Sequence, residues 1–205
     1  PGPSYHQYRR AESQKIAAIL EKQTNSLIEG KSTVLASSDI ELLRNEFLAF
    51  ISSADEILSN SNYGTLITEI RPWLQYFAVE GQAALVLLSM NQEQNPDKLY
   101  TLFGQFQLLR DQMIAIDQKE NRNPYQPGIV TASRYVLPWI EQSNIYYHTL
   151  LKSEGYLVKD AVNQPKASMY TNIEMLRSLP IQNDVWTGNR PFQVLKLGKM
   201  LEFIP

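Results

Sequence analysis

The sequence lacks cysteine, and only two of its 205 residues are histidine. Without a thiol, disulfide bonds, thiolate metal sites and cysteine nucleophiles are excluded. His6 lies in a polar N-terminal stretch, and His148 has no second histidine or carboxylate at a metal-ligand spacing. We therefore expect no metal centre and no cofactor, and we interpret His148 as a surface or interhelical structural residue.

Long hydrophobic runs and a strong excess of charge are also missing. The longest wholly apolar run, Ala83 to Leu88, is far shorter than the roughly 20 residues that span a bilayer. A net charge of −2 gives little attraction to nucleic acid or to an anionic surface. We therefore expect neither nucleic acid nor a membrane as a partner. The opening Pro1-Gly2-Pro3-Ser4 does not resemble a signal peptide, and we interpret it as a cut within a longer gene product.

No catalytic motif stands out. There is no Gly-x-Ser-x-Gly sequence and no phosphate-binding glycine loop, and we expect the lone helical Gly104 to be a close-packing site. Paired carboxylates at Glu41/Glu46 and Asp55/Glu56 fall opposite apolar stripes, so we expect them on solvated helix surfaces. The sequence thus assigns no catalytic residue.

What the sequence does contain is 43% hydrophobic residues arranged with helical periodicity. The pattern predicts helices at about residues 12–29, 38–58, 65–90, 96–116 and 132–154. Predicted end signals are Gly30 and Gly155 as C-caps, Ser38 with Glu41 as a capping box, and Asn95-Pro96 as an N-terminal start. Short connections favour antiparallel neighbours, so the predicted fold is a mostly α, up-and-down bundle.

Proline shapes three places in this pattern. Pro72 and Pro138 fall inside apolar stripes that continue in phase, so each predicts one kinked helix rather than two helices. The segment Asn123-Pro124-Tyr125-Gln126-Pro127-Gly128 predicts a rigid corner between the last two helices. We assign residues 1–160 to the helical bundle. Residues 161–205 read as a short helix at 171–179 and the opening strands of a truncated β-module.

Aromatic side chains are the remaining candidates for binding. The candidate interaction residues are Trp73, Tyr125, Trp139 and Trp186. Exposed rings in a row could stack on sugar rings, but aromatics at helical spacing more often belong to a core. Both interpretations stay open on the sequence alone.

An ordered series of short motifs closely resembles the post-catalytic helical domain of bacterial glycoside hydrolase family 84, the O-GlcNAcase and hyaluronidase-like β-N-acetylglucosaminidases. The series extends from about residue 5 to about residue 195. Its members are Tyr8-Arg9-Arg10-x-Glu12-Ser13, Ile70-Arg71-Pro72-Trp73, Ile116-Asp117-Gln118, the 123–128 corner, Leu137-Pro138-x-Ile140, Asn172-x-Glu174 and Leu179-Pro180-Ile181-Gln182.

The resemblance implies a bacterial, periplasmic or secreted parent enzyme with a catalytic (β/α)₈ barrel before this domain and a β-rich module after it. Family members use two adjacent aspartates of the barrel, and this chain contains no Asp-Asp pair. The resemblance therefore implies a non-catalytic module that packs on the barrel through an apolar patch and supports dimerisation or docking of a glycosylated protein substrate. The alternative is a carbohydrate- or protein-binding module that uses exposed aromatics.

Overall fold

The computed structural model describes residues 3–59, 66–120 and 133–159, in which the regular structure is helical. Five helices are α1 (Pro3–Ile28), α2 (Ser37–Ser59), α3 (Leu66–Gln92), α4 (Pro96–Glu120) and α5 (Ser133–Ser153). The prediction of a mostly helical chain with about five long helices is confirmed for these ranges. The predicted corner at 123–128, and the helix and strands predicted within 161–205, lie outside them.

Two helices begin earlier than predicted. α1 begins at Pro3 rather than near residue 12. The sequence pattern does not predict its first turns because they are polar and no apolar stripe marks them. α2 begins at Ser37, and the carbonyl of Ala36 accepts hydrogen bonds from the N–H groups of Asp39 and Ile40, both at 3.0 Å. Ser38 therefore lies in the first turn, and the predicted capping box is wrong.

The other three predicted end signals, at Gly30, Asn95 and Gly155, are confirmed. Asn95 Oδ1 accepts hydrogen bonds from the backbone N–H groups of Asp97 (2.9 Å) and Lys98 (3.1 Å), directly before α4. Gly30 and Gly155 have φ angles of 79° and 89°, the left-handed conformation that ends many helices. Each is followed by a backbone bond that reaches back five residues, from Lys31 to Ser26 and from Tyr156 to Leu151.

Both proline-containing stretches form continuous helices. Pro138 lies inside α5, and α3 runs without interruption from Leu66 to Gln92. The prediction of one helix rather than two is therefore confirmed at each place. Around Pro138 the flanking apolar residues Leu137 and Trp139 are both buried. The kink at each proline stays a prediction.

The helices pack as two groups joined through α5. α3 makes its most extensive contacts with α2 and α4, whereas α1 packs chiefly on α5, which also contacts α3 and α4. The three-residue connection 93–95 makes α3 and α4 antiparallel neighbours. Large, fully buried side chains come from all five helices and include Leu20, Leu43, Phe47, Tyr76, Phe103, Phe106, Leu137 and Ile140.

Candidate functional site

One of the four candidate aromatics belongs to the core. Trp139 is 3% exposed, and its ring stacks on Phe47 of α2 with centroids 6.1 Å apart and an interplanar angle of 14°. This ring contributes packing between α5 and α2 and presents no face to solvent. The side chains of Trp73, Tyr125 and Trp186 are outside those that the structure describes.

Of the four carboxylates predicted on solvated surfaces, one is buried and three are exposed. Glu46 is only 5% exposed, so the prediction of a solvated surface is wrong for this residue. It follows the fully buried Leu43 by three residues, which places it on the same helix face. The prediction is confirmed for the exposed carboxylates Glu41, Asp55 and Glu56.

The prediction that Gly104 is a close-packing site is also wrong for the described helices. Gly104 lies on the exposed side of α4, and a Cβ added there would meet no described atom within 4 Å. It is therefore not a close-packing site among the described helices. Instead, its missing side chain leaves a depression on the outer face of α4.

A buried ion pair joins the middle of α4 to the middle of α5. Arg110 donates from Nε to Glu141 Oε1 at 3.1 Å and from an Nη atom to Oε2 at 2.6 Å. Both side chains are 4% exposed, so the pair is almost completely removed from water. Two parallel bonds between planar groups fix the relative position of the helices in a way that apolar contacts alone do not.

The sequence contained a signal for this pair that spacing arguments could have used. Arg110 follows Phe106 by four residues and precedes Met113 by three, so it falls within the apolar stripe of α4. A charge at such a position requires a buried partner. Its partner, Glu141, is 31 residues away and could not be chosen from the sequence alone.

A second polar cluster joins the end of α3 to the segment between α1 and α2. Asn91 Oδ1 accepts a hydrogen bond from the backbone N–H of Leu35 at 2.9 Å, and Asn91 Nδ2 donates to the carbonyl of Thr33 at 2.9 Å. Gln23 Nε2, from α1, donates to the same carbonyl at 2.9 Å. Side chains from two helices thus bind the backbone of this connection on either side of the exposed Val34, and they satisfy the N–H of the buried Leu35.

Tyrosine hydroxyls attach the segment after α5 to the start of α4. The hydroxyl of Tyr156 donates to a carboxylate oxygen of Asp97, and Tyr100 donates to the carbonyl of Leu157 at 2.9 Å. The two tyrosine rings lie 4.8 Å apart. The hydrogen bond to Asp97 raises the pKa of Tyr156 above its ordinary value.

Beside these tyrosines lies a groove of about 330 Å³, which we call the α4 groove. The outer face of α4 forms one side, and the segment 157–159 forms the other. Leu108 and Leu157, which line it, are 61% and 90% exposed. Other members of its lining are Tyr100, Gly104, Asp111 and Lys159.

Within residues 3–59, 66–120 and 133–159, no group of three or more His, Asp or Glu side chains could hold a metal ion. No described helix has the length and apolar character that crossing a bilayer requires. The clearest polar contacts in these ranges join α4 to α5 and α3 to the connection between α1 and α2. The α4 groove is an apolar surface with charged edges.

The family comparison agrees with this architecture. A family model described as "Bacterial GH84, post-catalytic domain" matches residues 12–144. The match runs from the third turn of α1 to the middle of α5. The match covers more than half of the 205 residues and includes both Arg110 and Glu141. This chain therefore belongs to the post-catalytic domain family of bacterial glycoside hydrolase family 84.

Proposed function

We propose that this chain is a non-catalytic helical module that packs on the catalytic barrel of a β-N-acetylglucosaminidase in the same polypeptide. The observation that carries the proposal is the match of residues 12–144 to a post-catalytic domain. Within such a protein the module acts on the reaction only indirectly, by holding the barrel and any following domain in fixed positions. On its own the chain does not hydrolyse glycosides.

The interior of the bundle supports a structural role. A module that positions its neighbours must keep its own helix angles without help from a ligand. The Arg110–Glu141 pair fixes α4 against α5, and Asn91 fixes the end of α3 against the backbone at Thr33 and Leu35. Paired polar groups of this kind favour one arrangement of the helices over its alternatives.

We extend the proposal to the location and specificity of the parent enzyme and to the partners of this module. Family resemblance favours a periplasmic or secreted parent with O-GlcNAcase or hyaluronidase-like specificity, and a module that takes part in dimerisation or in docking a glycosylated protein. The competing role is a carbohydrate- or protein-binding module, for which Trp73, Tyr125 and Trp186 remain candidates. The burial of Trp139 removes one ring from that set.

Hydrogen exchange tests the packing on the barrel. The isolated chain and the intact parent protein are exchanged side by side, and amide protection is compared for residues 3–159. We expect one contiguous surface of the bundle to exchange more slowly in the parent, because burial against the barrel removes those amides from water. Identical exchange at every described surface would overturn the proposal.

The binding alternative has a separate test. Tryptophan fluorescence is followed while N-acetylglucosamine or a hyaluronan oligosaccharide is added to the chain, with W73F and W186F as variants. A saturable change that disappears in one variant would favour sugar binding. The structural proposal predicts no saturable change in fluorescence for the unaltered 205-residue chain or for either variant.

A further inference from the structure

Two phenol rings from distant parts of the chain meet at the surface, where the segment after α5 lies against the start of α4. Tyr100 and Tyr156 are 56 residues apart in the sequence, and their ring centroids lie 4.8 Å apart with an interplanar angle of 31°. This centroid distance is at the short end of the range for aromatic pairs. Tyr100 is 39% exposed and Tyr156 is partly exposed, so a reagent in solution can reach both rings.

The hydroxyl groups of the two rings have different acceptors. Tyr156 donates to a carboxylate oxygen of Asp97, and Tyr100 donates to the carbonyl of Leu157 at 2.9 Å. Because one bond starts from each of the two segments, the pair holds the rings side by side. Only the carboxylate of Asp97 is also a base, since a backbone carbonyl accepts a hydrogen bond without taking up the proton.

The carboxylate of Asp97 favours one-electron oxidation of Tyr156. A phenol that loses an electron becomes a strong acid, so the loss of the electron is coupled to the loss of the hydroxyl proton. In Tyr156 this proton passes along the existing hydrogen bond to Asp97, which leaves a neutral phenoxyl radical. The proton of Tyr100 passes to water, because that side chain is exposed.

We propose that Tyr100 and Tyr156 form an oxidative cross-linking site, at which a peroxidase with hydrogen peroxide converts the two phenols into a dityrosine. Each ring loses one electron and one proton, and one hydrogen peroxide is reduced to two water molecules. The two phenoxyl radicals then couple through the ring carbons next to their oxygens. One carbon–carbon bond forms, and the hydrogen on each of these carbons moves to the phenol oxygen, which restores both aromatic rings.

The cross-link fixes the segment after α5 to α4 by a covalent bond. The sequence contains no cysteine, so a disulfide cannot do this. Closing a long loop of the chain restricts the unfolded state, so a cross-link between Tyr100 and Tyr156 stabilises the folded state.

Tryptic mapping tests the site in the full 205-residue chain. Cleavage after lysine and arginine places Tyr100 alone in peptide 99–110 and Tyr156 alone in peptide 153–159, whereas peptide 135–152 carries three other tyrosines. The chain is treated at low concentration with a peroxidase and limiting hydrogen peroxide, and monomeric protein is recovered from a denaturing gel. Linked peptides, which lack two hydrogen atoms, are then quantified by mass spectrometry.

The proposal predicts that peptide 99–110 couples to 153–159 at least about tenfold more than to 135–152, because the structure holds the first pair of rings together. Equal yields of the two products, or a 99–110/153–159 product found only between chains, would overturn the proposal. D97N keeps a hydrogen-bond acceptor but removes the base, so the initial rate of this coupling should fall severalfold. An unchanged rate in D97N would rule out Asp97 as the proton acceptor.

Urea unfolding measures what the link does. The cross-linked chain should unfold at a higher urea concentration than the untreated chain. Y156F treated with the same reagents should show no such increase, and it controls for the oxidation of methionine. An unchanged midpoint in the cross-linked chain would contradict the stabilising role. Neither experiment involves the barrel, so a failure here leaves the proposed packing on the barrel untouched.

Discussion

Arg110 and Glu141 face each other across the interface of α4 and α5 as a two-point ion pair with almost no solvent exposure. The attraction in such a pair largely offsets the cost of removing both charges from water. Its main consequence is therefore specificity: any shift of one helix along the other breaks two charge-assisted hydrogen bonds.

The first prediction removes one partner of this pair. In R110M the carboxylate of Glu141 stays buried without its counter-charge, so the free energy of unfolding should fall by about 3–5 kcal/mol. Urea unfolding followed by circular dichroism measures the change. A loss below about 1 kcal/mol would show that the pair does not close in solution.

The matched control removes both charges. In R110M/E141L the helix interface becomes apolar, and most of the stability lost in R110M should return. The buried arrangement would be contradicted if the double variant were no more stable than R110M. The two results together separate the cost of an unpaired charge from the contribution of the pair itself.

The second prediction concerns the start of α4. Asn95 accepts two backbone hydrogen bonds there, so N95A should lower the free energy of unfolding by about 1 kcal/mol. N95S keeps an acceptor and should lose much less. Q94A changes the neighbouring exposed residue and should be neutral. Thermal unfolding of all three variants measures the differences, and an equal loss in N95A and Q94A would contradict the cap.

The third prediction tests the end of α1. Gly30 has a φ of 79°, where a Cβ approaches the following carbonyl oxygen, so G30A should cost about 1–2 kcal/mol. G30N should cost less, because asparagine tolerates the left-handed region. No described atom lies within 4 Å of the added Cβ, so the loss comes from the backbone and not from a clash. Urea unfolding of G30A, with G30N as the reference, distinguishes a loss caused by the backbone conformation from a loss caused by a steric clash.

The fourth prediction concerns alkaline pH. Burial raises the pKa of Tyr147 to about 12, and the side-chain hydrogen bond with Ser32 acts in the opposite direction. Because the folded protein holds this proton more tightly than the unfolded chain, the resulting stability is fully present below about pH 10. It should fall by about 1.4 kcal/mol per pH unit as the pH rises from 10 towards 12.

Urea unfolding at pH 9, 10.5 and 11.5 measures this slope. In Y147F the titrating group is absent, so the slope contributed by Tyr147 should disappear while other tyrosines and lysines continue to titrate. Y100F, at an exposed tyrosine of α4, provides the control. Equal slopes in Y147F and the unaltered chain would contradict the burial of the Tyr147 hydroxyl.

Local signals in the sequence predicted the helices well. Apolar periodicity located five helices, and the short-range chemistry of Gly30, Asn95 and Gly155 predicted where three of their ends lie. These succeeded because each depends on residues within one or two turns. The predicted capping box at Ser38 is wrong because α2 begins one residue earlier, at Ser37. Residue preferences do not distinguish two adjacent serines as the first residue of a helix.

Long-range polar contacts could not be predicted in the same way. Arg110 and Glu141 are 31 residues apart, and Asn91 lies 56 residues from the N–H of Leu35 that it binds. Their pairing depends on how the helices pack, which periodicity does not specify. For the same reason the sequence predicts Glu46 in water and Gly104 in a tight contact, whereas the packed bundle buries Glu46 and exposes Gly104.

Whether this module is non-catalytic is tested by the hydrolysis of an aryl β-N-acetylglucosaminide by the purified 205-residue chain. We expect release of the aryl group at the rate of buffer alone, with the intact parent enzyme as the positive control. Turnover that copurifies with the chain, and that is abolished by substituting one of the chain's own residues, would contradict it.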